Sequence, residues 1–340
     1  MSEINMLALT LGENVPSSRF RVRQHIKSLN SLGVNVVENI STNGSHPPSG
    51  VFNRLMWLPK ILNEARSRVS LTSNYDLCFI QKPLISTFYS FERAIKKPFV
   101  FDVDDAIHLG TRGYNATRIA TKADHVICGN NFLAEHYKKY SDVTVLPTSV
   151  DTDYFIPSKT INNPEGFLII GWCGSSSGFK YLYSIESQIL KVLNKYSNVK
   201  LKVVANSPPE FKLIPENKVI YKKWSSETEV EDIQDFTVGL MPLDDSLWAR
   251  GKCSYKMLTY MAVSVPVIVS AVGMNVDVMD FGVSGIMINN NYEWEDAIVS
   301  LLDNESLCYS MGEVGRKVVC ENYSSTVISK ELNRAIRKVV

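Results

Sequence analysis

The sequence has almost no surplus of charge of either sign, since 36 Lys and Arg residues face 35 Asp and Glu residues in a chain of 340. Bulk attraction to nucleic acid or to an acidic membrane is therefore not implied, and any basic site must be local. Uninterrupted apolar runs fall short of the ~18 residues that a membrane-spanning helix requires. The first residues, MSEINMLALTLGE, lack a charged segment followed by a long apolar one, so we expect no secretory signal.

Closely spaced cysteines are also missing, because the 6 cysteines are scattered and none forms a CxxC pair. We interpret them as reduced thiols of a cytosolic protein rather than as disulfides or metal ligands. The expected location is the cytoplasm, and peripheral contact with the inner face of the plasma membrane stays open.

Short β-branched runs alternate with amphipathic segments through the first half of the chain. This alternation predicts an α/β fold with a parallel sheet covered by helices on both faces. One helix is predicted from a cap at Ser17 or Ser18 to a stop at Gly33. Residues 41–50 consist of turn formers and predict a loop. The predicted strands read NMLALTLG, VNVVENI, YDLCFIQKP, PFVFDVDD, DHVICGN and VTVLP.

A second alternating series begins near Gly166, after the linker-like segment TSVDTDYFIPSKTINNPEG. We predict two α/β domains, 1–155 and 156–320, and a segment 321–340 that packs back across the domains. Ligands of such sheets bind beyond the carboxyl ends of the strands, so a cleft between the domains is expected.

The stretch GKCSYKMLTYMAVSVPVIVSAVG, which starts at Gly251, places a basic turn before a predicted helix that Ser254 opens. Backbone amides and the positive end of the dipole make a helix N-terminus attractive to anions. Arg250, Lys252 and Lys256 surround this end. The pattern therefore predicts a phosphate site; the alternative is a solvated basic turn before a core helix.

Three motifs in order, VLPTSVDTDYFIP, IGWCGSSSGFKYL and VGLMPLDDSLWARGKCSYKMLTYMAVSVPVIVSAVGMN, resemble the family 4 glycosyltransferases. The resemblance covers residues 145–325 best and is weaker at PSSRFRVRQH and FDVDDAIH. It implies the GT-B fold, in which two Rossmann-like α/β domains face each other across a cleft. It also implies a retaining enzyme with a UDP- or GDP-sugar as co-substrate and no tightly bound cofactor.

The resemblance implies that the helix starting at Ser254 aims its N-terminus at the donor diphosphate and that Lys180 contacts the same phosphates. Glycine and serine before Lys180 allow close approach of an anion, and the bound charge would stabilise the departing nucleotide. Predicted nucleotide-sugar contacts are Gly174, Ser175, Ser176, Lys180, Trp224, Met241, Leu243, Arg250, Lys252, Ser254, Tyr255, Lys256 and Thr259.

The sequence departs from the family pattern at three places. Gly251 and Thr259 stand where the family usually carries two glutamates, and Trp172-Cys173 replace an arginine. Arg250 or Lys252 could supply the missing positive charge. The departures keep open a protein that binds a sugar nucleotide or a glycan as a partner subunit without catalysis. A GT-B epimerase or phosphorylase is a further alternative.

The motif FDVDDAIH follows a predicted strand and supplies candidate catalytic groups in Asp104, Asp105 and His108. If the strand continues, alternation puts Asp102 and Asp104 on one side and turns Asp105 away. Crowded carboxylates repel, so one of them is expected to have a raised pKa. We predict a general base at Asp104 or Asp105; the alternative is helix capping and ion pairing.

The helix PSSRFRVRQH supplies the predicted acceptor contacts Ser18, Arg19 and Arg21, together with Asp102 from the neighbouring motif. The alternative for the arginines is pairing with the aspartates. Asp102-Val-Asp104 also spells the metal-binding DxD of GT-A enzymes. Two α/β halves argue against that fold, and we predict no metal site.

The expected function is that of a metal-independent, hexosyltransferase-type enzyme that builds bacterial surface polysaccharide such as O-antigen, capsule or lipopolysaccharide. The acceptor would be a glycan or a lipid-linked oligosaccharide. The segment FNRLMWLPKILNEARSRV is predicted as a helix that faces a core, with an interfacial membrane helix as the alternative.

Overall fold

The structure is a computed structural model that describes residues 2–13, 15–89, 91–96, 98–110, 113–158 and 166–340. The chain divides into two compact units. The first unit comprises Met1–Ser149, Arg250–Cys253 and Ser325–Val340, and the second comprises Val150–Ala249 and Ser254–Ser324.

The first unit is built on a parallel sheet in the order β2-β1-β3-β4-β5-β6. Strands β3, β4 and β5 are buried along their whole length, as expected for central strands covered on both faces. The strands are β1 (Ile4–Thr10), β2 (Val34–Ile40), β3 (Leu77–Gln81), β4 (Phe99–Val103), β5 (His125–Cys128) and β6 (Val143–Val145).

The second unit has its own parallel sheet in the order β12-β11-β10-β7-β8-β9. The predicted α/β class with two parallel sheets is confirmed. The strands are β7 (Leu168–Cys173), β8 (Val199–Ala205), β9 (Val219–Lys223), β10 (Val238–Met241), β11 (Val267–Ser270) and β12 (Gly285–Ile288).

Fourteen α-helices lie in the described residues. In chain order they are α1 (Pro16–Arg21), α2 (Ile26–Ser31), α3 (Val51–Leu71), α4 (Gly113–Lys122), α5 (Asn131–Tyr137), α6 (Phe179–Tyr183), α7 (Glu186–Lys195), α8 (Glu229–Gln234), α9 (Leu247–Arg250), α10 (Tyr255–Ala262), α11 (Met274–Met279), α12 (Glu293–Leu302), α13 (Glu305–Val318) and α14 (Ser325–Arg337).

Shorter helical turns join these elements. The 3-10 turns are Arg23–His25, Thr72–Asn74, Phe91–Ala94, Ile107–Leu109, Ser176–Gly178 and Glu216–Lys218, and a π-helical turn spans Val319–Tyr323.

The single helix predicted from a serine cap to Gly33 is wrong, because α1 and α2 are separated by a 3-10 turn. Helix α1 begins at Pro16, and its N-cap residue Val15 makes no side-chain capping bond. Proline suits this position because it has no amide hydrogen to satisfy and its φ is already helical. Ser18 lies inside α1, where its hydroxyl accepts a hydrogen bond from the Leu11 amide at 3.2 Å.

The predicted linker covers residues 148–166, of which 159–165 lie outside the described residues. The segment KYLYSIESQILKVLNKY predicts a single helix, but α6 ends at Tyr183 and α7 begins at Glu186. The break between α1 and α2 and the break between α6 and α7 show that apolar spacing alone does not reveal where a helix ends.

Helix α14 packs within the first unit. Leu332 and Ile336 are buried in the same core as Leu29 of α2, and Arg337 donates to the Leu32 carbonyl at 2.8 Å. His25 joins two further parts of this unit: Nδ1 lies 2.7 Å from Ser329 Oγ, and Nε2 lies 3.1 Å from Ser149 Oγ. Burial, and then the charge of Arg21, lower the pKa of His25 to about 3.

His25 should make the stability of the protein depend on pH. Its folded-state pKa of about 3 lies below the ordinary value of 6.5, so the unfolded chain binds a proton more readily between these values. Stability is therefore present above pH ~6.5 and is lost as the pH falls, by about 2 kcal/mol between pH 7 and pH 5. Urea unfolding at both pH values should show a smaller loss for His25→Gln than for the native protein; equal losses would contradict this.

Candidate functional site

The strand order of the second sheet marks one place for a ligand. From β7 the chain continues to β8 and β9 on one side of β7, and then crosses to β10 on the opposite side of β7. The strand order therefore reverses between β7 and β10, which flank a topological switch point. Ligands of doubly wound sheets bind beyond the carboxyl ends of the strands at such a point. The residues that follow β7 and β10 here are Gly174 and Pro242.

The turn after β7 is shaped to admit a lysine. A Cβ atom at Gly174 would lie 2.2 Å from Lys256 Cε, so the absence of a side chain at Gly174 lets Lys256 cross the turn. The Lys256 Nζ atom is 5.4 Å from the centroid of the Trp172 ring, within cation–π range. Trp172 thus supports a cation that comes from α10.

Polar contacts fix the remainder of this turn. The Ser175 and Ser177 hydroxyls are 2.7 Å apart, and the Ser176 amide donates to Asn206 Oδ1 at 2.7 Å. Lys180 on α6 lies 3.8 Å from Asp244 Oδ2, with side chains 61% and 50% exposed. An ion pair this exposed contributes little stability, so Lys180 can exchange its partner for a bound anion at low cost.

A buried relay of hydrogen bonds positions the head of α10. Ser254 Oγ donates to Asn275 Oδ1 at 2.7 Å, and Asn275 Nδ2 donates to the Ser270 carbonyl at 3.0 Å. Ser270 Oγ accepts from the Leu243 amide at 2.9 Å. The relay joins α10 and α11 to the loops after β10 and β11. These bonds fix the first turn of α10, which carries Lys256, relative to Leu243.

Ser254 adopts a left-handed backbone conformation, with φ 50°. Such a conformation in a residue other than glycine costs of order 1–3 kcal/mol and tends to occur at functional sites. The hydroxyl makes no capping bond to α10, since it is engaged with Asn275. The strained serine therefore serves as an anchor for the helix head rather than as its cap.

Other predicted donor contacts differ in how the second unit places them. Met241 is buried at the end of β10, Tyr255 is half-buried at the start of α10, and Trp224 follows β9. Strand β9 is two strands away from β7, roughly 10 Å at the usual spacing. Thr259 is buried and its hydroxyl donates to the Lys256 carbonyl at 2.7 Å. A nucleotide-sugar contact by Thr259 stays a prediction.

The predicted contacts Arg250 and Lys252 belong to the first unit. Asn130 Nδ2 donates to their carbonyl oxygens at 3.2 and 2.9 Å. Gly251 between them packs so closely that a Cβ atom would lie 2.5 Å from Ala106 Cβ. A glutamate at residue 251, as in the family pattern, does not fit this backbone.

The first sheet has its own switch point between β1 and β3. Ser18, predicted to bind acceptor, is buried there and donates to Gln81 Oε1 at 3.5 Å. Arg21 Nε lies 3.2 and 3.1 Å from the two oxygens of Asp102, and both side chains are buried. Burial alone would lower the pKa of Arg21, but the paired Asp102 raises it above its usual value. In this structure Arg21 and Asp102 therefore form a buried ion pair with each other.

Asp104 and Asp105 share one cation, whereas Asp105 was expected to turn away if the strand continued through it. Lys82 Nζ lies 2.8 Å from Asp104 Oδ1 and 2.7 Å from Asp105 Oδ2. The predicted alternation fails because β4 ends at Val103, one residue before the pair. Burial would lower the pKa of Lys82, but the two aspartates raise it above its ordinary value.

Sequence reasoning missed Lys82, which directly follows β3 in the motif QKP. It has a backbone φ of 63° and, with Ser254 and Ser264, is one of three such non-glycine residues in the described chain. A cation at the end of a strand next to an acidic strand end was the available signal. Lys82 and the two aspartates form a compact charged group at the edge of the first sheet.

The predicted catalytic residue His108 stacks on His136, with ring centroids 3.9 Å apart. Burial, and then His136, lower the pKa of His108 to about 4. The imidazole is therefore neutral near pH 7 and could accept a proton there but not donate one as an imidazolium.

Arg19 was predicted to contact the acceptor. Its guanidinium carbon Cζ lies 4.5 Å from the centroid of the Phe20 ring.

The described residues contain no group of three or more His, Cys, Asp or Glu side chains that could hold a metal ion. The DxD residues Asp102 and Asp104 instead face Arg21 and Lys82.

Residues 167–304 match the family model described as "Glycosyl transferases group 1". No curated protein sequence matches the chain. Many solved structures are similar in fold, and three of them serve as examples. The sucrose-phosphate synthase of Thermosynechococcus elongatus has a TM-score of 0.71 at 14% identity and covers 98% of both chains.

A glycosyltransferase from Rickettsia africae has a TM-score of 0.72 at 15% identity, covering 100% of this chain and 99% of its own. Alr3699/HepE of Anabaena, solved with UDP-glucose, has a TM-score of 0.73 at 12% identity and covers 99% of this chain and 100% of its own. The fold is that of the GT-B glycosyltransferases. At these identities the likeness establishes fold, while the family match is confined to 167–304.

The buried Arg21–Asp102 pair allows a sharp stability test. Arg21→Ala should lower the free energy of unfolding by about 3–5 kcal/mol, because it leaves the Asp102 carboxylate buried without its partner. The double variant Arg21→Met/Asp102→Leu should recover most of the loss, since it removes both charges together. Urea unfolding of both variants measures this. Equal destabilisation by the single and double variants would show that the charges are not coupled.

Proposed function

We propose that this protein is a glycosyltransferase that moves a sugar from a nucleoside diphosphate sugar to an acceptor hydroxyl. The observation that carries the proposal is Lys256, which lies across Gly174 at the switch point of the second sheet. A cation at this position faces the place where a doubly wound sheet holds phosphates. The match of 167–304 to group 1 glycosyl transferases supports the same role.

The donor is held by the second unit in this proposal. Lys256 and Lys180 bind the diphosphate, and the turn from Gly174 to Ser176 approaches its oxygens. As the bond from sugar to phosphate breaks, negative charge develops on the leaving diphosphate. Cations that are already in position stabilise that charge without reorganisation. A solved neighbour of the same fold contains UDP-glucose, which supports a UDP-sugar as the donor.

The acceptor is held by the first unit in this proposal. Asp104 or Asp105 accepts the proton of the acceptor hydroxyl, and Lys82 holds both carboxylates in place. We further propose a retaining, metal-independent family 4 enzyme of hexosyltransferase type, acting in bacterial surface polysaccharide synthesis on a glycan or lipid-linked acceptor in the cytoplasm. This finer assignment is supported by the sequence resemblance.

Lys256→Ala should weaken binding of a nucleoside diphosphate about tenfold or more, the usual value for one lost charge-assisted hydrogen bond. Binding of the monophosphate should change less, since the lysine acts on the diphosphate. Calorimetric titration of UDP and UMP, or of GDP and GMP, measures both effects. Lys212→Ala, an exposed lysine of the same unit, is the control. Unchanged affinities in both Lys256→Ala and Lys180→Ala would remove the phosphate assignment.

The donor itself can be identified by thermal shift with UDP, GDP, CMP and their sugars, repeated with EDTA. We expect one nucleotide class to stabilise the protein in the presence of the chelator. Loss of the shift in EDTA would instead revive a metal-dependent site.

Asp104→Asn should lower transfer to acceptor by roughly 10²–10⁴-fold, the usual contribution of a general base. The affinity for the nucleotide should stay unchanged, because Asp104 is not among the proposed donor contacts. Transfer from a labelled nucleotide sugar, measured beside the binding titration, separates these effects. Asp105→Asn is the matched variant, and full transfer in both would exclude the pair as the base.

A second candidate is a GT-B protein that binds a sugar nucleotide without turnover. It is favoured by the missing carboxylates, because Gly251 is closed against Ala106 and Thr259 is engaged within its own helix. Turnover of any labelled nucleotide sugar excludes this candidate. Tight nucleotide binding with neither transfer nor hydrolysis across the panel would favour it.

A further inference from the structure

The first two turns of α3 carry apolar side chains that face solvent. Val51, Phe52, Leu55 and Met56 are 76%, 74%, 65% and 53% exposed. Residues four apart on a helix lie above one another, so these four form one continuous patch. We call them the α3 patch. Single exposed apolar residues are ordinary, but a contiguous patch marks an interaction surface.

The α3 patch is not the face by which the helix packs onto its unit. That face contains Ile61 and Ala65, both buried in the core, and Arg68, which donates to the Thr10 carbonyl at 2.7 Å. Trp57 lies on the same side and donates to the Asn43 carbonyl at 3.0 Å. At 100° per residue, the centre of the α3 patch lies well over 90° away from this face. The helix is therefore apolar on two sides, and only one of them is covered.

The charged residues that lie nearest to the patch in the sequence are basic. The sequence contains no acidic residue between Glu38 and Glu64, while Arg54 and Lys60 lie within this interval and Arg66 follows it. Lys60 and Arg66 are exposed. Glu64 is engaged, because its Oε1 accepts from the Thr42 amide at 2.6 Å and its Oε2 from Asn43 Nδ2 at 2.7 Å. An apolar patch with basic neighbours suits the interface of an anionic bilayer.

We propose that the α3 patch docks this protein on a membrane surface that contains anionic lipids. The four apolar side chains enter the boundary between head groups and acyl chains, and Lys60 and Arg66 contact the anionic head groups. No helix in the described part of the chain is long and apolar enough to cross a bilayer, so the contact is peripheral. A second copy is a poorer occupant, since a symmetric contact through α3 brings like charges together.

The docking surface is independent of the proposed sugar transfer, and its test uses no nucleotide sugar. The full chain is sedimented with vesicles of phosphatidylcholine alone or mixed with phosphatidylglycerol. We expect binding to the mixed vesicles that weakens in high salt. Leu55→Asp should reduce this binding at least about tenfold, because it removes one leucine from the apolar interface. Leu213→Asp, at an exposed leucine of the second unit, should bind as the native protein does.

The double variant Lys60→Glu/Arg66→Glu tests the electrostatic part separately and should lose at least tenfold with the mixed vesicles. It keeps the test decisive if Leu55→Asp does not fold. Native-like binding by either folded variant, or no binding by the native chain at low salt, would overturn the proposal. A dimer in gel filtration that Leu55→Asp dissolves, without vesicle binding, would assign the patch to a second copy instead.

Discussion

Parallel pairing forces all strands of a sheet to end at the same edge, and both candidate sites depend on this constraint. Residues that are far apart in sequence, such as Gly174 and Lys256, become neighbours because β7 and β10 end side by side. In the first unit the same constraint collects Arg21, Lys82 and the aspartates of FDVDD. Chemistry that depends on several side chains can then be supplied by short loops on a rigid support.

The charges at the edge of the first sheet divide into two groups with different physical roles. Arg21 and Asp102 are buried and paired in a bidentate arrangement, so removing either leaves an uncompensated charge. Lys82, Asp104 and Asp105 form the second group, in which Asp105 is the most exposed member. An exposed carboxylate held by a neighbouring cation can meet a substrate, whereas Asp102 has no such freedom. In the proposed function, the second group therefore carries the acceptor role.

The sequence was sufficient for the two sheets, because buried parallel strands such as LCFIQ and FVFDV are nearly continuous apolar runs. It was insufficient wherever a polar side chain had a choice of partner. Ser17 or Ser18 was expected to cap a helix, but the Ser18 hydroxyl accepts from the Leu11 amide instead. The Ser254 hydroxyl at the head of α10 likewise bonds to Asn275 and not to its own helix. Lys82 escaped notice because its partners come from a different strand end. Helix breaks were missed because apolar spacing alone does not reveal where a helix ends.

Gly251 and Thr259 stand where the family that the sequence resembles usually carries two glutamates, so this chain has no acid at either position. Gly251 closes against Ala106 and leaves no space for a side chain, and the Thr259 hydroxyl bonds within α10. At the same time the Trp172 ring supports Lys256, whose Nζ atom is 5.4 Å from the ring centroid. In the proposed function, donor recognition relies on the diphosphate more than on the hydroxyls of the donor. Such a site gains its affinity from charge, which makes nucleotide binding sensitive to ionic strength in a way that carboxylate contacts to hydroxyls are not.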